Sequence, residues 1–140
     1  MLRWQAAFAQ IEQQVIHGDY QETNLFFEKD VVSAVIDWDQ AYPAARAWEV
    51  VRTLHYVFQF EPSQCHLFLE AYRRELPLSS QALDVAAHVY SWIRTHDLWI
   101  YEEYYMRGNQ RVQPFFSGKD FTPLIERWNT LQYALKAQFL

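Results

Sequence analysis

Val15–Asp39, reading VIHGDYQETNLFFEKDVVSAVIDWD, is the stretch that decides how this chain folds. It holds two short apolar runs, Leu25–Phe27 and Val31–Ile36, parted by Glu28, Lys29 and Asp30. Both runs are rich in β-branched or aromatic residues and bounded by polar ones, which reads as two strands joined by a tight hairpin connection. A hairpin brings its outer ends together. Asn24 stands at one end and Asp37 at the other, so the spacing predicts that their side chains converge. An amide oxygen and a carboxylate are hard donors of the kind Mg²⁺ takes while keeping water and phosphate oxygens. Asp19 lies in the loop just before Asn24. It can approach the same point as a base that accepts a proton from an attacking hydroxyl.

The residues that carry a resemblance are His17-Gly18-Asp19, Asn24 five positions after Asp19, and Ile36-Asp37-Trp38-Asp39 after the hairpin. This pattern resembles the catalytic core of the aminoglycoside phosphotransferase family, small-molecule kinases that include choline kinase-like relatives and share the protein-kinase fold. The protein-kinase template places an Asp base and a Mg²⁺-binding Asn in one loop, and a second Mg²⁺-binding Asp after the following hairpin. The resemblance therefore implies Asp19 as catalytic base, Asn24 and Asp37 as metal ligands, and Mg²⁺ with ATP as cofactors. His17 reads as a structural residue that fixes the loop by hydrogen bonds. Asp39 reads either as support for the metal site or as a helix cap. Without the resemblance, His17-Gly18-Asp19 would pass as an ordinary turn in which Gly18 supplies a permissive backbone.

A chain of 140 residues with 51% hydrophobic and 18% aromatic content suits a single compact domain over 1–140 and argues against disorder. Its net charge of −5 argues against a nucleic-acid partner. Cys65 is the one cysteine, so no internal disulfide forms and a reducing, cytoplasmic setting is expected. No apolar run is long enough to span a membrane, and the N-terminal residues lack the apolar core of a signal peptide.

Along the rest of the chain the periodicity predicts helices. Trp4, Phe8, Ile11 and Val15 share one face of a helix over 2–14, leading into the loop at 17–24. Residues 39–43 read as a loop. A central helix is expected from Ala44 to Phe60, apolar nearly all round. In the resembling family an Asp early in this helix braces the catalytic loop. Glu49 occupies the matching position, with an ordinary solvated glutamate as the alternative. Pro62 opens the next helix and Pro77 stops it. Ser79 or Ser80 then caps a long helix over 81–106, bent near Thr95. Arg94 and Asp97 fall on its apolar stripe, either as a buried ion pair or as a pocket wall. Phe115 and Phe116 are expected to pin the loop at 107–118, and a last helix starts at Thr122-Pro123.

The expected fold is thus mainly α within an α+β class. It is a protein-kinase-like C-lobe with helices around one short β-hairpin and the N-lobe absent, since the chain shows no strand-borne lysine region or glycine-rich phosphate loop. Its three glycines are Gly18, Gly108 and Gly118. By the resemblance, residues 44–140 form the helical acceptor region, with Asp97, Tyr101 and Glu102 as substrate-binding candidates. Aromatic and acidic groups there would suit a hydroxyl acceptor that also bears an amine. Two functions follow. One is the catalytic lobe of a phosphotransferase, weak or inactive alone. The other is a binding or assembly module that dimerises or pairs with a separate N-lobe, because exposed apolar surface tends to become interface.

Overall fold

The computed structural model describes residues 2–115 and 122–139. Helix α1 (Leu2–Ala9) leads to strand β1 (Gln13–Ile16), and the β2–β3 hairpin follows (Leu25–Glu28 and Val31–Val35). Strand β4 (Tyr42–Ala45) runs directly into α2 (Arg46–Tyr56). The remaining helices are α3 (Pro62–Glu75), α4 (Ser80–Thr95), a short α5 (Trp99–Tyr101) that continues as a π turn over Glu102–Met106, and α6 (Leu124–Phe139).

Two antiparallel strand pairs are present among the described residues, where the sequence pattern suggested one. β2 pairs with β3, with a bulge between Phe26 and Phe27. β1 pairs with β4, with Gln13 opposite Ala45 and Ile16 opposite Tyr42. Two expected helices shrink accordingly. The helix expected over 2–14 stops at Ala9, and Val15 becomes an exposed strand residue. The helix expected from Ala44 starts at Arg46, because Tyr42–Ala45 are taken up by pairing with β1. It ends at Tyr56 because Gln59 and Phe60 adopt left-handed backbone, φ 52° and 60°, which turns the chain at the helix C-terminus.

The helical core follows the apolar stripes. Val50, Val51 and Leu54 of α2, Cys65 and Leu69 of α3, Leu83, Ala86, Ala87 and Tyr90 of α4, and Trp128 and Leu131 of α6 are all buried together. Local chemistry sets the helix starts. The Glu61 carboxylate accepts from the N–H groups of Ser63 and Gln64, with Pro62 at the first turn. Ser79 caps α4 by accepting from Ala82 N–H at 3.0 Å. The long helix expected over 81–106 is broken: α4 ends at Thr95, and the Thr95 hydroxyl bonds back to the Ser91 carbonyl. The side chain of Phe115 and all of Phe116 lie outside the described residues, and with them the expected pinning of the loop. No helix among the described residues is long and apolar enough to cross a membrane.

Candidate active site

The loop at 17–24 leaves β1, and β1 is paired to the strand that becomes α2. The pairing therefore lays the loop across the first turns of α2. There the Glu49 carboxylate accepts from two successive backbone donors, His17 N–H at 3.0 Å and Gly18 N–H at 2.7 Å. Two N–H groups that point the same way and share a carboxylate form a charge-assisted clamp. Gly18 has φ +81°, and a Cβ there would run into the carbonyl oxygen of Gln40. Only glycine fits both the backbone angle and the space.

His17 is 3% exposed and uses both ring nitrogens. Nδ1 accepts from Asp19 N–H at 3.2 Å, so Nε2 carries the proton and donates to the Ile36 carbonyl at 2.7 Å. The neutral ring thus ties the loop to the far end of the hairpin and keeps no lone pair for a metal. Trp38 lies against it, ring centroids 4.6 Å apart.

Asp19 is held on three sides. Its Oδ2 accepts from Gln21 Nε2 at 3.0 Å and from Asn24 Nδ2 at 3.1 Å, and its Oδ1 forms an ion pair with Arg52. Asn24 is 7% exposed. Its Nδ2 also donates to the Asp19 carbonyl at 2.8 Å. Both partners are acceptors, so this end of the amide is the NH₂ and Oδ1 is the end turned away from Asp19. The Asn24 carbonyl accepts from Ile36 N–H at 3.0 Å, which closes the hairpin mouth and places Asp37 immediately beyond. Asp37 is exposed and sits in the left-handed region, φ 62° and ψ 59°. Non-glycine residues adopt this conformation at a cost, and such residues cluster at functional sites. Asp39 is exposed in the short 3₁₀ turn Trp38–Gln40. Neither carboxylate caps the next helix, because α2 starts from Ala45 without a side-chain cap.

Arg52 is the residue that sequence reasoning missed. Besides Asp19 it donates to the Tyr20 carbonyl at 3.1 Å, and its guanidinium lies 4.8 Å over the Tyr56 ring. The signal was present: Glu49, Arg52 and Tyr56 stand at i, i+3 and i+7, one face of α2, which is therefore not apolar all round. Arg94 reaches the same Tyr56 ring at 5.7 Å and pairs with Asp97 at 2.8 Å. The Arg94–Asp97 pair is half-buried, and Tyr56 links it to the Asp19 side of α2. Tyr101 and Glu102 are exposed on the turns that follow. On the other flank His55 is held neutral, its pKa lowered to about 4, first by burial and then by the guanidiniums of Arg127, Arg94 and Arg52. Arg127 donates to its Nε2, so Nδ1–H faces the Tyr90 hydroxyl at 3.0 Å.

A sequence model described as the phosphotransferase enzyme family matches residues 1–87, which run from α1 into α4 and include the whole loop, hairpin and α2. Neither a curated protein nor a solved structure matched the chain.

Proposed function

We propose that this chain, which belongs to the phosphotransferase enzyme family, is the protein-kinase-like catalytic lobe of a small-molecule kinase. In this reading it moves the γ-phosphate of ATP to a hydroxyl of a small acceptor. The observation that carries this reading is the division of labour in one side chain. Asn24 spends its NH₂ on Asp19 and turns its oxygen away, at the hairpin end where Asp37 stands.

Asn24 Oδ1 and the Asp37 carboxylate are hard oxygens that fit Mg²⁺, which asks for few protein ligands. Among the described residues no three His, Cys, Asp or Glu side chains group to hold a metal ion. A site of this kind is completed by phosphate and water. When bound with ATP, Mg²⁺ neutralises charge on the phosphoryl oxygens. The chain's own part is positional. Glu49 and His17 fix the loop, and Asn24 and Gln21 aim the Asp19 carboxylate. Asp19 takes the acceptor's proton on the lone pairs its neighbours leave open. Arg52 shares Oδ1 with that incoming hydroxyl and so sets the direction of approach. The exposed Tyr56 ring and the half-buried Arg94–Asp97 pair on the same flank are the wall we assign to the acceptor, and the Asp97 carboxylate suits an amine on it.

Titration calorimetry of ATP, with and without Mg²⁺, tests this reading on the whole chain. Binding that needs Mg²⁺ and weakens at least tenfold in Asp37→Ala is expected. Equal binding by Asp37→Ala would remove Asp37 from the site.

A second reading rests on a different observation. Phe26, Phe27, Val31 and Val32 of the hairpin are exposed, at 55%, 58%, 69% and 43%, and Val15, Ile36, Trp38 and Tyr42 join them. Exposed apolar side chains of this number fit an interface with a second copy or with a separate nucleotide-binding lobe. Sedimentation velocity distinguishes the copies: a concentration-dependent dimer that Phe27→Ser dissolves supports self-assembly, and a monomer at all concentrations counts against it.

A further inference from the structure

Helices α3, α4 and α6 line a half-open cavity of about 370 Å³ that shares no residue with the catalytic loop, the hairpin or α2. Its floor is apolar: Leu69 of α3, Leu83 of α4, and Trp128 and Leu135 of α6. The Trp128 indole N–H and the Gln132 amide both donate to the Asp84 carboxylate, at 3.2 and 3.3 Å. The polar edge of the indole is thus already satisfied, and an occupant would meet ring and aliphatic surface.

The mouth has the opposite character. Arg73, Arg74 and Lys136 line it against a single carboxylate, Glu70, which Arg74 already engages. The excess of positive charge is local, because the chain as a whole carries −5. Arg73 is also held in place. Its Nε donates to the Leu78 carbonyl at 3.0 Å and its Nη2 to the Ser80 hydroxyl at 3.3 Å, which fixes the guanidinium before any ligand arrives.

The two halves select by chemistry. A neutral apolar molecule would fill the floor but leave the cations without a counter-charge. A small polar anion would meet the cations but leave the leucines and indole uncovered. An apolar pocket with a few convergent polar groups, and a volume at the small end of ligand sites, takes a compact molecule with one charged end. We propose that this cavity is a binding site for an amphipathic carboxylate, its alkyl or aryl body on the floor and its carboxylate between Arg73, Arg74 and Lys136. The site is independent of the phosphotransfer reading.

The test uses octanoate as probe, with 1-octanol as its neutral counterpart, followed by amide chemical shifts of the intact chain. Saturable shifts confined to α3, the start of α4 and α6 are expected, with octanoate at least tenfold tighter than octanol. The double variant Arg74→Glu, Lys136→Glu alters two exposed rim positions and should weaken octanoate at least tenfold while leaving octanol unchanged. Leu135→Trp, which fills the floor, should block both. Equal affinity for the two probes, retention of octanoate by the charge-reversed variant, or shifts that never saturate would each overturn the proposal.

Discussion

Residues 17–24 and the β2–β3 hairpin adjoin in sequence, yet they are held by different means. The loop is tied to α2 and to the hairpin mouth by directed polar bonds: Glu49 to two backbone N–H groups, Arg52 to Asp19, His17 to Ile36. The hairpin pairs mainly with itself and shows its aromatic and β-branched side chains to solvent. An isolated two-stranded hairpin is marginal in water. The contrast teaches where this molecule concentrates its order. The groups that would handle protons are preorganised against a helix whose other face is core, whereas the strands beyond keep their apolar side chains exposed.

The sharpest way to break that contrast is Gly18→Ala. The new methyl meets the Gln40 carbonyl, and the backbone is strained at φ +81°, so the loop must leave its place. A loss of about 4 kcal/mol is expected, from strain and overpacking together, read as a drop in the urea midpoint. Glu49→Ala comes next. It strands the N–H groups of His17 and Gly18, at about 3 kcal/mol for two bonds to a charged acceptor. Its signature is fast hydrogen exchange at residues 17 and 18 with the helical core still protected.

Acid should sharpen the comparison from the helical side. His55 has a folded pKa of about 4 against an ordinary value near 6.5. The unfolded chain therefore binds the proton more readily, and stability contributed above pH ~6.5 is lost as pH falls towards ~4, by about 3 kcal/mol. His55→Gln, followed by urea unfolding at pH 7 and 4.5, should remove most of that slope. The smallest effect belongs to the hairpin: Phe27→Ser replaces an exposed ring and should change unfolding free energy by less than about 0.5 kcal/mol. A large loss there would mean the hairpin is more deeply integrated than its exposure indicates.

Much of the site was legible in the sequence because its parts are local. The Asp19-to-Asn24 spacing, the hairpin and Asp37 need only short-range turn and strand chemistry. Glu49 was legible only through the family resemblance, since its partners lie 31 and 32 positions away. Arg52 escaped because an arginine in a helix reads as solvated until its partner is known. The β1–β4 pair escaped for a related reason. Gln13–Ile16 and Tyr42–Ala45 are four residues each, without a turn between them, and the pairing that makes them strands is non-local. It also cost the sequence reading two helix ends, at Ala9 and Arg46, and the pairing that seats the loop on α2. The break after Thr95 went unread as a full stop because the aromatic residues beyond it still keep a helical period.

The central claim is that the braced loop and the open hairpin end form one metal–phosphate site. Paramagnetic broadening by substoichiometric Mn²⁺ with ATP, read at every backbone amide, tests it most directly. The account predicts broadening centred on Asn24 and Asp37, reaching Asp19, and abolished in Asp37→Ala. Broadening centred elsewhere, or unchanged in that variant, would contradict it.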